Sequence, residues 1–405
     1  MPGTETPGKD ATGKVFDSAR VTLVSMAHFV HDLYTSFLSP LLPLIIEKLS
    51  LSLSQAGLLS TVMQIPALLN PFIGLFADNR GLARWLVILA PTMTAIPMSF
   101  IGLAPTYGTL LVLVFITGIS VALFHVPSPV LIARYAGDFK GRGMSFFMTG
   151  GELARTLGPM VAVGAVSILG LAHFHFVLVL AVITSVVLYL TLEPAGEKTA
   201  IKRKGSLKAA YLEIRHVLEP LAAILTARAC MHGAMGVFLT VYVEQKTNSL
   251  WMGGAALALY EALGVAGVLS AGTLSDRLGR QRVLFWALVT APVAILFFIF
   301  SSGVLQVLWL LVTGFSVLST TPVMLALIQE SATENPSAAN GLFMMTSFAV
   351  RSLAVVVVGA LGDAFGMEAM FIIAAVIGFT AIPFLITLKR RTQRITTSGI
   401  AGDNA

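Results

Sequence analysis

Twelve long apolar runs follow one another along the chain, separated by short polar intervals. They lie near residues 21–46, 54–76, 84–103, 107–133, 143–170, 174–192, 220–245, 250–274, 283–301, 304–329, 339–362 and 367–388. A helix needs about 20 apolar residues to cross the hydrocarbon core of a bilayer. Inside that core each backbone polar group must be satisfied within its own helix or in a closed barrel. Runs of this length therefore predict an all-α membrane protein with twelve transmembrane helices. The longest polar interval, 194–218, carries Lys202, Arg203, Lys204 and Lys208 and splits the chain into six spans and six. The expected organisation is a tail over 1–20, a six-helix bundle over 21–193, a linker over 194–218, a second bundle over 219–388 and a basic tail over 389–405. The first apolar run is too long for a signal-peptide core and lacks a small-residue exit, so it reads as span one.

Composition agrees with this pattern. The 405 residues are 56% hydrophobic and 11% charged, with mean hydropathy +0.86. A soluble domain carries about 25% charged residues, so an ordinary cytosolic enzyme, a nucleic-acid binder and a disordered chain are all excluded. The single cysteine, Cys230, excludes a disulfide framework. The placement of the basic residues predicts orientation. With the N-terminus inside, 21 of the 26 Lys and Arg residues fall on cytoplasmic segments and only Lys48 and Lys246 fall outside. The positive-inside rule therefore puts both termini in the cytoplasm of an inner (plasma) membrane protein.

The two halves echo each other. Gly74–Trp85 (GLFADNRGLARW) and Gly272–Val283 (GTLSDRLGRQRV) are 198 residues apart. Phe146–Arg155 (FFMTGGELAR) and Leu342–Arg351 (LFMMTSFAVR) are 196 apart and both end in arginine. Two pseudo-symmetric six-helix bundles are expected, an arrangement known for secondary transporters.

Few ionisable residues lie inside the spans, and each is costly enough there to be a functional candidate. Span one holds His28, His31 and Asp32, with Tyr34 close by. Residues three and four apart share a helix face, so these groups can line one side of the helix. Histidine changes charge near neutral pH. A carboxylate moving between apolar and wet surroundings changes its affinity for protons. Asp32, tuned by His31, is the expected proton-coupling group, with Glu152 next in line. The competing reading is a set of hydrogen bonds that ties span one to its neighbour. In span five Glu152 and Arg155 are three apart and predict an ion pair; Arg351 stands at the matching place in span eleven. Two arginines from opposite halves would form a positive centre for an anionic substrate, since guanidinium binds phosphonate or carboxylate in a bidentate manner. Arg228, His232 and Glu261 are further candidates for substrate contact, with Arg228–Glu261 a plausible bridge between spans seven and eight. His125 precedes Pro127 and Pro129, which should break span four locally.

The loop pattern of Gly, three residues, Asp and Arg-x-Gly-Arg resembles that of the major facilitator superfamily. Gly272, Asp276, Arg277, Gly279 and Arg280 carry it fully; Gly74 and Asp78 carry the first copy, in which Asn79 and Leu82 replace basic residues. The resemblance implies that these residues gate the cytoplasmic side. HFVHDLYTSFLSPLLPLI in span one, ALFHVPSPVLIAR in span four and GMSFFMTGGELARTLGP in span five resemble the fosmidomycin-resistance family of exporters. Gly158-Pro159 after Gly150-Gly151 is similar to an antiporter motif of the superfamily.

The expected function is proton-coupled efflux of a small, anionic drug or metabolite by alternating access. Its partners are that substrate, protons and the lipid bilayer, not nucleic acid, and it acts as a monomer. The alternative is a proton-coupled uptake carrier for an organic anion or metal complex. No ATP-binding Gly-x-x-x-x-Gly-Lys-Ser/Thr pattern is present, and no His-Glu-x-x-His supports an intramembrane metalloenzyme. No cofactor, metal or enzymatic activity is expected.

Overall fold

The computed structural model describes residues 16–70, 73, 82–137, 139–192, 207–332 and 336–402. Every regular element among them is helical. Eleven helices are long and apolar enough to cross a membrane, and a shorter apolar helix, Leu53–Leu69, takes the place of span two. The twelve spans appear in the expected order.

Local chemistry sets the breaks. Span one divides into Ser18–Thr35 and Leu38–Leu49. Span four divides into Tyr107–His125 and Ser128–Tyr135. Pro127, which has no N–H for the helical ladder, sits in that interruption. Span seven is longer than its apolar core. Its helix begins at Leu207, within the interval expected as linker. Ile214, Val217 and Leu218 recur at helical spacing there and pack with Leu284 and Leu388 into the core of the C-terminal half.

Each half has its own packed core at the end that carries the chain termini. Val21, Val87, Phe124 and Phe147 cluster in the first half, and Ile214, Leu284, Met324 and Leu385 in the second. At the opposite end a single core crosses between the halves and includes Phe37, Leu41, Phe238, Val355 and Phe371. Spans two and eleven, five and eight, and one and seven form this junction. Two glycines allow the close approach of spans two and eleven: a Cβ on Gly359 would lie 2.5 Å from the carbonyl oxygen of Leu53, and one on Gly57 2.8 Å from that of Val355.

Polar groups reinforce the junction. The backbone N–H groups of Leu53 and Ser54 donate to the Asp363 carboxylate at 2.6 and 2.8 Å, and the Ser54 hydroxyl donates to it as well. The Thr61 hydroxyl donates to the carbonyl of Ser352 at 2.7 Å. Within one half, Lys48 bonds the carbonyls of Gly102 and Ala104 at the same end. The halves are thus joined at the end away from the termini.

Candidate functional site

Spans one and four bring four titratable side chains to one point, with span five packed against them. Span five packs against span one through small residues. A Cβ on Gly151 would lie 2.6 Å from the His28 ring, so a larger residue would displace that imidazole. His28 is sandwiched near Phe147, with ring centroids 4.0 Å apart, and its Nδ1 lies 2.7 Å from the Phe147 carbonyl oxygen. A carbonyl only accepts, so Nδ1 carries the proton. The other nitrogen, Nε2, then faces Asp32 Oδ2 at 3.2 Å. That nitrogen is buried and has no other hydrogen-bond partner.

The second carboxylate oxygen of Asp32 is already served twice. His31 Nδ1 lies 2.8 Å from Oδ1 and His125 Nε2 lies 3.1 Å from it. His31 is fully buried and stacks on Phe124 with centroids 4.3 Å apart. The His125 side chain is 35% exposed, so it forms the open side of the cluster. A neutral His28 beside an ionised Asp32 would set two lone pairs against each other. One proton between Nε2 and Oδ2 removes that repulsion. His28, Asp32 and His125 also present ligand atoms within 4.8 Å of one another, and are the described residues whose grouping could hold a cation larger than a proton.

Three imidazoles surround Asp32. Two come from its own helix, His28 at the spacing that shares a face, and the third, His125, is delivered by the packing of span four. Tyr34 is corrected as a candidate substrate contact. It is buried, and its hydroxyl donates to the Val177 carbonyl, so it fastens the turn before span six and is not open to substrate.

A second group lies between the halves. Glu152 and Arg155 form the ion pair that their spacing predicts. The Arg155 side chain is 46% exposed, whereas the Glu152 side chain is 10% exposed and its Oε2 has no hydrogen-bond partner. Glu261 lies within electrostatic range of Arg155 and Arg351, which come from opposite halves. Arg351 Nε is buried without a hydrogen-bond partner. His232 bonds the Tyr260 hydroxyl at 3.1 Å beside this group.

Arg228 is not paired with Glu261. Its guanidinium turns to span ten and donates to the Val317 carbonyl at 3.1 Å, Thr320 Oγ1 at 2.6 Å and Thr321 Oγ1 at 2.7 Å. The threonines escaped the sequence reading; their signal is a polar pair before Pro322 within an apolar run.

The loop residues occupy the terminus-bearing end. Arg280 pairs with Asp276 at 2.6 Å and with Glu330 at 2.9 Å, and donates to the Ser275 hydroxyl. Gly279 has φ +94°, a conformation that favours glycine. Gly272 has open space where a Cβ would stand, and Arg277 is exposed. Gly74 and Asp78 lie outside the described residues.

Comparison with known proteins matches residues 24–355, and again 269–402, to the Major Facilitator Superfamily. The fosmidomycin resistance protein of Escherichia coli (strain K12) is 23% identical over 365 residues, 87% of this chain and 88% of that protein. The multidrug resistance protein MdtG of Serratia proteamaculans (strain 568) is 26% identical over 271 residues, 63% of this chain and 65% of that protein. A bacterial homolog of the human lysosomal transporter Spinster, solved inward-facing and unoccupied, superposes with a TM-score of 0.79 at 15% identity, covering 95% of this chain and 99% of that one.

Proposed function

The chain belongs to the major facilitator superfamily of membrane transporters, and from that premise we propose that it exports a small anionic drug or metabolite in exchange for protons. Its residues 1–20 and 389–405 flank two six-helix units, 21–193 and 219–388, that rock about the central groups. The observation that carries proton coupling is the facing of His28 Nε2 and Asp32 Oδ2 at 3.2 Å, with the other His28 nitrogen committed to the Phe147 carbonyl. This pair holds one proton when the halves are arranged as they are here. His31 and His125 orient the carboxylate through Oδ1.

Arg155 and Arg351 supply the positive centre for the anion, with Glu152, Glu261 and His232 around it. Arg228 braces spans seven and ten. The packing supports alternating access. The halves are sealed at the end away from the termini, while Arg155 and His125 keep exposed side chains at mid-depth. The distribution of lysine and arginine assigns the terminus-bearing end to the cytoplasm, so the site in this structure faces inward across the inner membrane. Asp276 and Arg280, held with Glu330 at that end, form a gate of the C-terminal half; Gly74 and Asp78 are assigned the matching role by sequence. A monomer contains all of these groups.

A transmembrane potential supplies about 2.3 kcal/mol per elementary charge per 100 mV. One coupled proton is therefore enough for a useful gradient. The relative named for fosmidomycin resistance makes that phosphonate the first probe. Inverted vesicles with an acidic interior should accumulate radiolabelled fosmidomycin, and a protonophore should release it. Accumulation only in right-side-out vesicles would establish uptake, and accumulation that ignores the protonophore would exclude proton coupling.

A further inference from the structure

A cavity of about 600 Å³ lies between spans eight, nine and ten, lined by residues of the C-terminal half that belong to none of the groups above. Its walls include Leu263, Leu274, Leu278, Trp286 and Phe315. Leu274, Leu278, Trp286 and Phe315 are exposed, and Trp286 is 65% so. Exposed apolar side chains on membrane-spanning helices face lipid, so the groove opens to the bilayer. From Leu263 to Leu278 the helix rises about 22 Å. One leaflet's hydrocarbon layer is about 15 Å deep, half of the core. The groove is therefore deep enough to receive an acyl chain lying along the helices.

The terminus-bearing end of the groove is charged. Arg282 lines it, in the first turn of span nine. Its neighbour Arg280 is committed to Asp276 and Glu330, whereas Arg282 is exposed and has no acidic partner among the described residues. The first turn of a helix also carries the positive end of its dipole. An apolar trough ending in an uncommitted guanidinium is complementary to a lipid with a negative head group. Basic pockets between helices on the cytoplasmic side recognise such head groups.

We propose that this groove is a binding site for an anionic phospholipid, with an acyl chain against Trp286 and Phe315 and the phosphate at Arg282. Ala271, Leu274 and Leu278 form one wall. They belong to the same stretch of helix as Asp276 and Arg277, so a bound lipid braces the loop that gates the terminus-bearing end.

Native mass spectrometry of the purified full-length protein, titrated with phosphatidylglycerol or phosphatidylcholine, tests this. The wild type should retain a first phosphatidylglycerol molecule at collision energies that strip phosphatidylcholine. Arg282→Gln is a surface change that leaves the packed core intact. It should weaken phosphatidylglycerol retention about fivefold, the effect of one basic residue on an anionic lipid, and leave phosphatidylcholine unchanged. Ala287→Phe, which fills the groove, should weaken both lipids. Lys389→Gln, at an exposed lysine outside the groove, should weaken neither. Equal retention of the two lipids by the wild type, or phosphatidylglycerol retention unaltered by Arg282→Gln, would overturn the assignment.

Discussion

Asp363 offers a direct handle on the proposed equilibrium between two arrangements of the halves. Its carboxylate takes the N–H groups of Leu53 and Ser54 and the Ser54 hydroxyl across the junction. Span two already has its own cap: the Ser52 hydroxyl accepts from Gln55 N–H, and the Gln55 side chain accepts from Ser52 N–H. The Asp363 contact is thus an additional cap, present only while the halves are together. Removing a capping side chain costs about 0.5–2 kcal/mol. Asp363 is exposed, and water competes for its partners, so the lower half of that range applies. A loss of about 1 kcal/mol corresponds to roughly a fivefold change in the closed-to-open ratio. Asp363→Ala should produce this shift. Spin labels at Glu47→Cys and Ala360→Cys, both exposed positions near the junction, in a Cys230→Ala background would report it as a larger long-distance population. Because span two keeps its own cap, the thermal stability of each half should hardly change. An unaltered distance distribution in a folded Asp363→Ala protein would refute the assignment of this contact to the closed state.

Four further outcomes are expected. Arg228→Gln should destabilise the C-terminal half by about 2 kcal/mol through its lost hydrogen bonds, seen as a lower melting temperature in detergent; unchanged stability with lost substrate binding would make Arg228 a ligand instead. Arg351→Gln should weaken binding of fosmidomycin at least tenfold, measured by calorimetry, and equal affinity in the variant would remove Arg351 from the anion site. Asp276→Asn should change the inward-to-outward balance in conformational labelling and preserve the ranking of substrates, and a reversed ranking with unchanged labelling would contradict its gating role. Cysteines placed near residue 10 or residue 400 should resist a membrane-impermeant reagent in intact cells, since labelling from outside would invert the topology.

The sequence made local relations readable and distant ones not. Helical spacing alone joins His28 to Asp32 and Glu152 to Arg155, and both pairs are present. The contact of His125 with Asp32 depends on how span four packs beside span one, and no spacing within either helix encodes that. Arg228 shows the same limit. An arginine and a glutamate on consecutive spans suggested a bridge, but the helix face that carries Arg228 turns toward Thr320 and Thr321 in span ten. Asp363 drew no notice because an acid near the end of a span usually meets water. The overall architecture was far more legible, since each apolar run must become a helix on its own account. The start of span seven was less so. The helix extends beyond the bilayer-length apolar run to Leu207, held by amphipathic packing of Ile214 and Val217 and not by the bilayer rule.

The most direct test of the central claim compares two modes of transport in reconstituted vesicles. Asp32→Asn removes the ionisable oxygen that faces His28 Nε2 and keeps the side chain's size. The variant should lose fosmidomycin transport driven by a pH gradient while retaining exchange of labelled for unlabelled fosmidomycin at equal pH, because the proposed anion site is built from other residues. Full pH-driven transport by Asp32→Asn would contradict the account and pass the proton to Glu152.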